Sequence, residues 1–558
     1  MIRRTLEFLS AEVRGLHAAA YILAVSSLLS SLLALLRDRL LAHLFGASVS
    51  LDLYYAAFRI PDAVFIAVGA LVSAYMLIPE LSRRDFLGQK KYLDTIVVGY
   101  SILVLLVSVF AALMAPLILQ RFFPAFVDAG HLSTLTMLTR ILLLQAAFLG
   151  LSNIAAAVTQ FKHRYVLYAC SPIVYNLSII FGALVLYPYL GLVGLAWGVV
   201  LGALLHVGIQ IPAIVRDGFL QQLPRFIDKR AFFETVWLSL PRALALSMNQ
   251  IAFFGLTVLA GSLAAGSISV FVFGYNLNNV PLGIIGASFA TAAFPTLAYA
   301  FSRGEREVFL EQVSIAARQI FFWSMPAIAL LVVLRAHIVR AVLGSGAFDW
   351  TDTRLTAAMF ALFGISLAAQ GIVLLLVRAF YASGRTFAPF VVSSASALLT
   401  IFLGLFFLHG LQDPRVSETI TKLLRVQDVG GTQVLVLAFA YSLSLISASF
   451  VLILYFETCF RGFLKRVILA FGESIAAALA SGAASYGTLH VIGDITLSST
   501  LLSVLVRASI AGFIGIAAGA LVYYLLGNRE FSENVQALRR KLWREGEPIA
   551  SAESGLQS

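Results

Sequence analysis

The stretch Ser30–Pro79 reads SSLLALLRDRLLAHLFGASVSLDLYYAAFRIPDAVFIAVGALVSAYMLIP. Most of it is as apolar as lipid, yet Arg37, Asp38, Arg39, Asp52, Arg59 and Asp62 are set into it. A charge near the centre of a bilayer costs roughly 2.5–3.5 kcal/mol on insertion scales. Charges kept at that depth face a watery cavity or a partner, so this stretch is predicted to form one wall of such a cavity.

The rest of the chain fits a lipid setting. Of 558 residues, 60% are hydrophobic and only 12% are charged, with mean hydropathy +0.92. A water-soluble domain is about a quarter charged. The fold class is therefore an all-α polytopic membrane protein, since helices satisfy their own backbone groups in hydrocarbon. The formal net charge of +11 would suggest nucleic acid in a soluble protein. Here the basic residues fall mainly in short loops, where they set topology and meet anionic headgroups. No basic patch interleaved with aromatics supports nucleic-acid binding. Cys170 and Cys459 lie far apart and form neither a disulfide framework nor a cysteine metal site. Arg3, Arg4 and Arg14 precede the apolar run Leu16–Leu36, which is too long for a signal peptide and reads as a first span.

A span needs about 20 mostly apolar residues. Such segments centre near residues 27, 67, 106, 146, 176, 203, 249, 284, 324, 368, 398, 445, 479 and 514, which predicts about fourteen helices. With the N-terminus inside, Lys and Arg divide 24 to 9 between the two sides, inside over outside. That bias supports both termini on the cytoplasmic side and an even helix count. The polar loop Leu411–Gln433 carries an amphipathic piece around Ser417–Val426 and is expected at the outer surface. The tail after Asn528 is charged, then small and polar, and is expected to fray at its end.

The chain also resembles itself at a spacing of 217–222 residues. SLDLYYAAFRIPDAVFIAVGA from Ser50 aligns with SISVFVFGYNLNNVPLGIIGA from Ser267. Arg59 falls opposite Asn276, Asp62 opposite Asn279, and Gly69-Ala70 opposite Gly286-Ala287. Each copy is followed by a proline, Pro79 or Pro295, and by a Ser-Arg pair. A looser match joins Phe126–Arg164 to Phe348–Arg385. About six spans separate the copies, so both have the same orientation, related by an axis along the membrane normal. The expected organisation is a first lobe of six helices over 1–230 and a second over 231–460. Two extra helices follow over 461–527, then a cytoplasmic tail over 528–558.

The run LLRDRLLAHLFGASVSLDLYYAAFRIPD resembles the first signature of the MurJ (MviN) lipid II flippases, of the multidrug/oligosaccharidyl-lipid/polysaccharide exporter superfamily. Further matches are Gly69-Ala70 with Pro79, SMNQI at Ser247–Ile251, Gly266-Ser267, GAFDWTDT at Gly346–Thr353 and RAFYASGRTFAP at Arg378–Pro389. The resemblance covers about residues 20–526. It implies a two-lobed flippase that moves a pyrophosphate-bearing lipid-linked glycan, foremost the peptidoglycan precursor lipid II, from inner to outer leaflet by alternating access. Arg37, Asp52 and Arg59 match family cavity positions. The family's helix-1 Ser-Arg is Ser30-Ser31 here, its second helix-2 arginine falls on Phe65, and its acidic residue before the Gly-Ala step is Val68. Its helix-8 arginine falls on Asn276. Fewer charges imply a weaker hold on a diphosphate, or a different headgroup.

The substrate-binding candidates are Arg37, Asp52, Arg59, Asp62, Asn276 and Asn279. A guanidinium suits phosphate, being always charged and forked. Arg37 could equally snorkel to the interface or pair with Asp38. Arg59 and Asp62 sit one helical turn apart, so they either form a structural ion pair or open when phosphate arrives. Asn276, Asn278, Asn279, Asn249 and Gln250 could meet sugar hydroxyls, but interhelical hydrogen bonding is the commoner use of such amides. Arg140 and Arg378 either pair with helix C-terminal carbonyls or line the cavity, and the structural reading is favoured. His206 and His490 are read as satisfied by local partners, with no metal site. No P-loop is present, so no ATP site and no cofactor is expected. Ion or membrane-potential coupling is left to drive transport. No carboxylates or histidines cluster as a membrane-embedded transferase would need, so the chain reads as a transporter and not an enzyme. Its expected partners are a polyprenyl-linked glycan and membrane lipids, with the chain acting as a monomer. The alternatives are a superfamily relative moving another lipid-linked oligosaccharide, or a degenerate scaffold without transport.

Overall fold

The computed structural model describes residues 16–69, 72, 74–225, 228–410, 414–493 and 499–542. Arg3, Arg4, Arg14, Ala70 and Arg544, used in the charge count and the repeat, lie outside the described residues. The first lobe begins with α1 (Leu16–Phe45) and α2, described in the pieces Val49–Ala57, Arg59–Val64, Phe65–Gly69 and Ala74–Ser82. It continues with α3 (Phe86–Phe122), α4 (Leu132–Phe161), α5 (Tyr165–Leu190) and α6 (Leu192–Arg216). The second holds α7 (Lys229–Gly261), α8 (Ser267–Ser302), α9 (Arg306–Val342), the bent pair α10 (Trp350–Gly364 and Leu367–Ala382), α11 (Phe387–Gly410) and α12 (Thr432–Cys459). Then come α13 (Phe463–Ile492) and α14 (Leu501–Leu525). Among the described residues ten helices are long and apolar enough to cross a membrane, or eleven if the pair bent by 43° is one span. The predicted segments near residues 27, 67 and 249 are helical too (α1, α2 and α7) but fall outside that set, so the predicted fourteen is not reached on length and composition.

The same circuit of contacts is traced twice. In the first lobe α1 packs on α5, α5 on α6, α6 on α4, and α4 on α2 and α3. In the second, α7 packs on α11, α11 on α12, α12 on α10, and α10 on α8 and α9. Helices α13 and α14 pack on each other and on α9. One continuous hydrophobic core fills the first lobe and reaches into α8, α10 and α12 at their ends nearest the α1–α2 loop, and into both ends of α7. The far ends of α8, α9, α10 and α12 have a separate core. The lobes thus meet around the α1–α2 loop, and the start of α7 also lies against α3, where the Tyr92 and Thr235 hydroxyls bond at 2.9 Å.

Backbone breaks recur at matching places and are answered by side chains. A π-helical turn covers Phe65–Gly69 in α2 and Gly283–Ala287 in α8. Arg378 donates Nη1 to the carbonyl of Ala287 at 3.3 Å. Proline has no N–H, so Pro116 in α3 deprives the Ala112 carbonyl of its helical donor, and Arg140 Nε takes that place at 3.0 Å. Pro326 in α9 does the same to Phe322, whose carbonyl receives the Tyr523 hydroxyl of α14 at 2.9 Å. An unmet carbonyl in hydrocarbon costs several kcal/mol, which is why these polar side chains are tolerated there.

Two peripheral segments are more ordered than their sequence suggests. The amphipathic piece of the polar loop is a helix over Pro414–Leu424, starting before Ser417. The tail opens with the helix Arg529–Leu542, docked through Arg318 Nε to Glu530 at 2.6 Å and Asn534 to Gln319 at 3.2 Å.

Candidate functional site

The charges of α1 form a chain that crosses between the lobes. Arg37 donates Nη2 and Nε to Asp38 Oδ1 at 2.8 and 3.0 Å, and Nη1 to Asn176 Oδ1 of α5 at 3.1 Å. Asn176 in turn donates to Ser30 Oγ at 3.3 Å. The other carboxylate oxygen of Asp38 accepts from Asn276 Nδ2 of α8 at 2.9 Å. Asp38 is buried, whereas the Arg37 side chain keeps 22% exposure. The arginine therefore still presents an edge to a ligand while its charge is balanced.

The second cluster depends on the break in α2. The helix stops at Ala57 and a new segment starts at Arg59, because Pro61 has no N–H to give the Ala57 carbonyl one turn earlier. Arg59 folds Nε back to the Tyr55 carbonyl at 3.3 Å and pairs with Asp62 at 3.3 Å. Its guanidinium carbon lies 5.0 Å from the centroid of the Phe253 ring on α7. This group lines a cavity of about 310 Å³ between α2 and α7, shared with Ser247, Gln250 and Phe254. Guanidinium, carboxylate and amide groups around such a cavity can exchange internal partners for the phosphate and hydroxyl groups of a ligand.

Asp52 has a different use in this conformation. Its Oδ2 accepts from Gly266 N at 2.7 Å, and its Oδ1 from Ser269 N and Oγ at 2.7 and 2.6 Å. It is 2% exposed. A carboxylate over the first turn of a helix satisfies orphan N–H groups and complements the helix dipole, so Asp52 of the first lobe caps α8 of the second. Gly266 permits the approach: its φ is +87°, and a Cβ there would come within 2.4 Å of the Ala47 carbonyl. Around this cap Ala347 N donates to His43 O at 2.9 Å, Ala47 N to Asp352 at 3.0 Å, and Arg39 Nη1 to Ala341 O at 2.6 Å. The lobes are latched where α1 ends and α2 and α8 begin.

The structure thus brings Arg37 and Asn276 into one network and Arg59 and Asp62 into one pair. It sets Asp52 in the latch, and leaves Asn279 exposed on α8. Asn278 is turned into the second lobe, donating to Gln370 at 3.4 Å. Asn249 accepts from the Tyr441 hydroxyl at 3.4 Å, beside a second chamber of about 230 Å³ enclosed by α7, α8, α10, α11 and α12. His206 bonds to Ser152 Oγ at 2.6 Å. Among the described residues no three His, Cys, Asp or Glu side chains gather as a metal would need. The Arg37–Asp38 pairing is one of the two readings the sequence offered for Arg37, whereas Asn176 is missed by sequence reasoning; a polar residue in an apolar run is its one signal.

A family model, Lipid II flippase MurJ, matches residues 41–506. A probable lipid II flippase MurJ from Buchnera aphidicola (subspecies Acyrthosiphon pisum) is 25% identical over 406 residues, 71% of this chain and 79% of that protein. Among solved structures, a lipid II flippase MurJ in an inward closed conformation superposes with a TM-score of 0.74 at 21% identity, covering 91% of this chain and 99% of that one. An inward-facing multidrug resistance MATE transporter of the MOP superfamily superposes at 0.61 with 13% identity, covering 78% and 96%. With most of its length matched by that model, this chain belongs to the MurJ lipid II flippase family.

Proposed function

We propose that this chain moves lipid II across the bacterial inner membrane by alternating access, as a transporter and not an enzyme. The observation that supports the reading is a pair of carboxylate-balanced guanidinium groups near the lobe contact, Arg37 beside Asp38 and Arg59 on the α2–α7 cavity beside Asp62. Asp38 and Asp62 hold these arginines charged and oriented in the empty site. A pyrophosphate offers the same kind of acceptor with more charge, so it takes over contacts the carboxylates now make. The amides of Asn276, Asn279 and Gln250 lie where they can meet sugar hydroxyls, and the polyprenyl tail stays in lipid.

The remaining assignments follow from charge and repeat. The loop bias in Lys and Arg supports cytoplasmic termini, which makes the latched end the outer one. The headgroup then enters from the cytoplasmic side. The moving bodies are the two repeat copies, 1–230 and 231–460, rocking about the α2–α8 contact as a monomer. The energy comes from an ion gradient or from the membrane potential, which supplies about 2.3 kcal/mol per charge per 100 mV.

Complementation tests this reading. In cells depleted of their lipid II flippase, the wild-type chain should restore growth and lipid II export. Arg37→Ala and Arg59→Ala, inserted in the membrane at wild-type levels, should not. Failure of the wild type would remove lipid II as substrate. Full rescue by both variants would remove the cationic site.

A further inference from the structure

We propose a second, lipid-facing site that binds the phosphodiester of a membrane phospholipid in the groove between α3 and α4, with Arg140 as its cation. The groove has a volume of about 820 Å³ and is lined by Pro116, Gly130, Ser133, Thr136, Met137 and Arg140 among others, with no acidic residue in its wall. It opens sideways among exposed apolar side chains, with Phe110, Leu113 and Leu117 on α3 and Leu144 on α4. Those side chains suit acyl chains and not water. Arg140 lies about 12 Å along α4 from Leu132, at about 1.5 Å per residue, which is deep for a charge at the lipid boundary.

Its internal partner is one neutral oxygen. Nε bonds to the carbonyl that Pro116 frees, Ala112 O. This contact fixes the guanidinium plane and engages one of five N–H donors. A cation at lipid depth draws in a counter-charge, and the wall of the groove supplies none. The second observation is Thr136. It lines the groove, is only 7% exposed, and its hydroxyl has no hydrogen-bond partner. A buried hydroxyl without a partner is uncommon in a settled structure. A phosphodiester supplies the negative charge for Arg140 and acceptors for Ser133 and, once χ1 of Thr136 turns its buried hydroxyl toward the groove, for Thr136, while its acyl chains cover the apolar rim. The occupant that matches a charged pocket with an oily mouth is a lipid and not a free anion.

Native mass spectrometry of the full chain in a neutral detergent tests the site, with three separate probes: phosphatidylglycerol, diacylglycerol and inorganic phosphate. The expected result is one phosphatidylglycerol held more tightly than further copies, with no equivalent diacylglycerol adduct. Arg140→Gln, whose amide can still reach Ala112 O, should weaken that first adduct by about tenfold or more. Thr136→Val, which leaves the charge in place, should weaken it several-fold. Arg140→Lys should retain part of it. Equal retention across the wild type and all three variants overturns the proposal. Diacylglycerol binding as tightly as phosphatidylglycerol overturns the phosphate contact, and inorganic phosphate binding without lipid preference overturns the choice of a lipid. Melting curves in the same detergent separate lost binding from lost fold, and Thr136→Val remains informative if the Arg140 variants do not fold.

Discussion

Helices α2 and α8 are two copies of one element, and they differ where it matters. Both begin beside a glycine of positive φ, Gly46 at +60° and Gly266 at +87°. Both carry a proline, then a π-helical turn at matching places, Phe65–Gly69 and Gly283–Ala287. The side chains in between diverge. The first copy presents Arg59 and Asp62, whereas the second presents Asn276 and Asn279 at the aligned positions. What the copies share is backbone geometry. What separates them is charge: one copy carries an arginine and an aspartate where the other carries two amides.

The contact between them makes the same point at its centre. Asp52 and Ser269 are aligned positions, and they bond to each other. Two equivalent positions touch only if the axis relating the copies runs between them. Two aspartates there would repel, and two serines would leave the first N–H groups of α8 without a charged cap. A symmetric contact that has to hold is therefore made from one acceptor and one donor.

The largest effect is expected from breaking this contact. Asp52→Ala removes the acceptor of two backbone N–H groups and one hydroxyl, all buried while the lobes are latched. Leaving such donors unmet costs about 1–3 kcal/mol each, whereas water meets them once the lobes part. The latched state should lose about 3 kcal/mol, or roughly a hundredfold in population. Spin labels on Ser50→Cys and Ser345→Cys, in a Cys170→Ser, Cys459→Ser background, should report a longer distance in the variant. An unchanged distance distribution would show that the cap does not hold the lobes together. Asp52→Asn keeps one acceptor and should fall between.

The charge difference gives the next effect. Arg59→Ala should weaken lipid II binding by about tenfold to a hundredfold, the range for a charged hydrogen bond. Asn276→Ala, at the aligned position, should cost less than about tenfold, because a neutral amide contact to Asp38 is lost. Equal losses in a binding titration would mean that the two walls act alike. Asn276→Arg would erase the difference: Asp38 would then face guanidinium groups from both lobes, and binding should tighten.

Much of this was readable from the chain. The lobes follow from hydropathy and the repeat, and the Arg59–Asp62 pair follows from a three-residue spacing on one helix. Arg140 and Arg378 each bond a backbone carbonyl, at breaks within helices and not at the helix C-termini expected. Asp52 enters the candidate set because it matches a family cavity position. Its partners lie 214 and 217 residues away on the other lobe, and no local pattern carries that information. The repeat alignment did place Asp52 opposite Ser269, but alignment states equivalence and not contact. Asp38 is legible in the chain only as a partner for Arg37. Its neighbour Arg37 accounts for one oxygen, and only the packing of α1 against α8 shows where the other goes.

The smallest effect concerns the two proline breaks, which the lobes answer differently. In α3 the freed carbonyl of Ala112 meets a charged group of the same lobe, whereas in α9 the freed carbonyl of Phe322 meets a hydroxyl from α14. The second answer ties an added helix to the repeat. Tyr523→Phe isolates that bond, because the ring keeps its stack on Phe322 at a centroid distance of 4.4 Å. The loss should be about 1 kcal/mol, in line with a single interhelical hydrogen bond. Pro326→Ala returns an N–H to the Phe322 carbonyl, after which the hydroxyl has little left to satisfy. Tyr523→Phe should therefore cost measurably less in a Pro326→Ala background than alone, in unfolding of the detergent-solubilised chain. A coupling near zero between the two changes would mean that α14 is held by apolar packing and that the carbonyl finds its donor elsewhere.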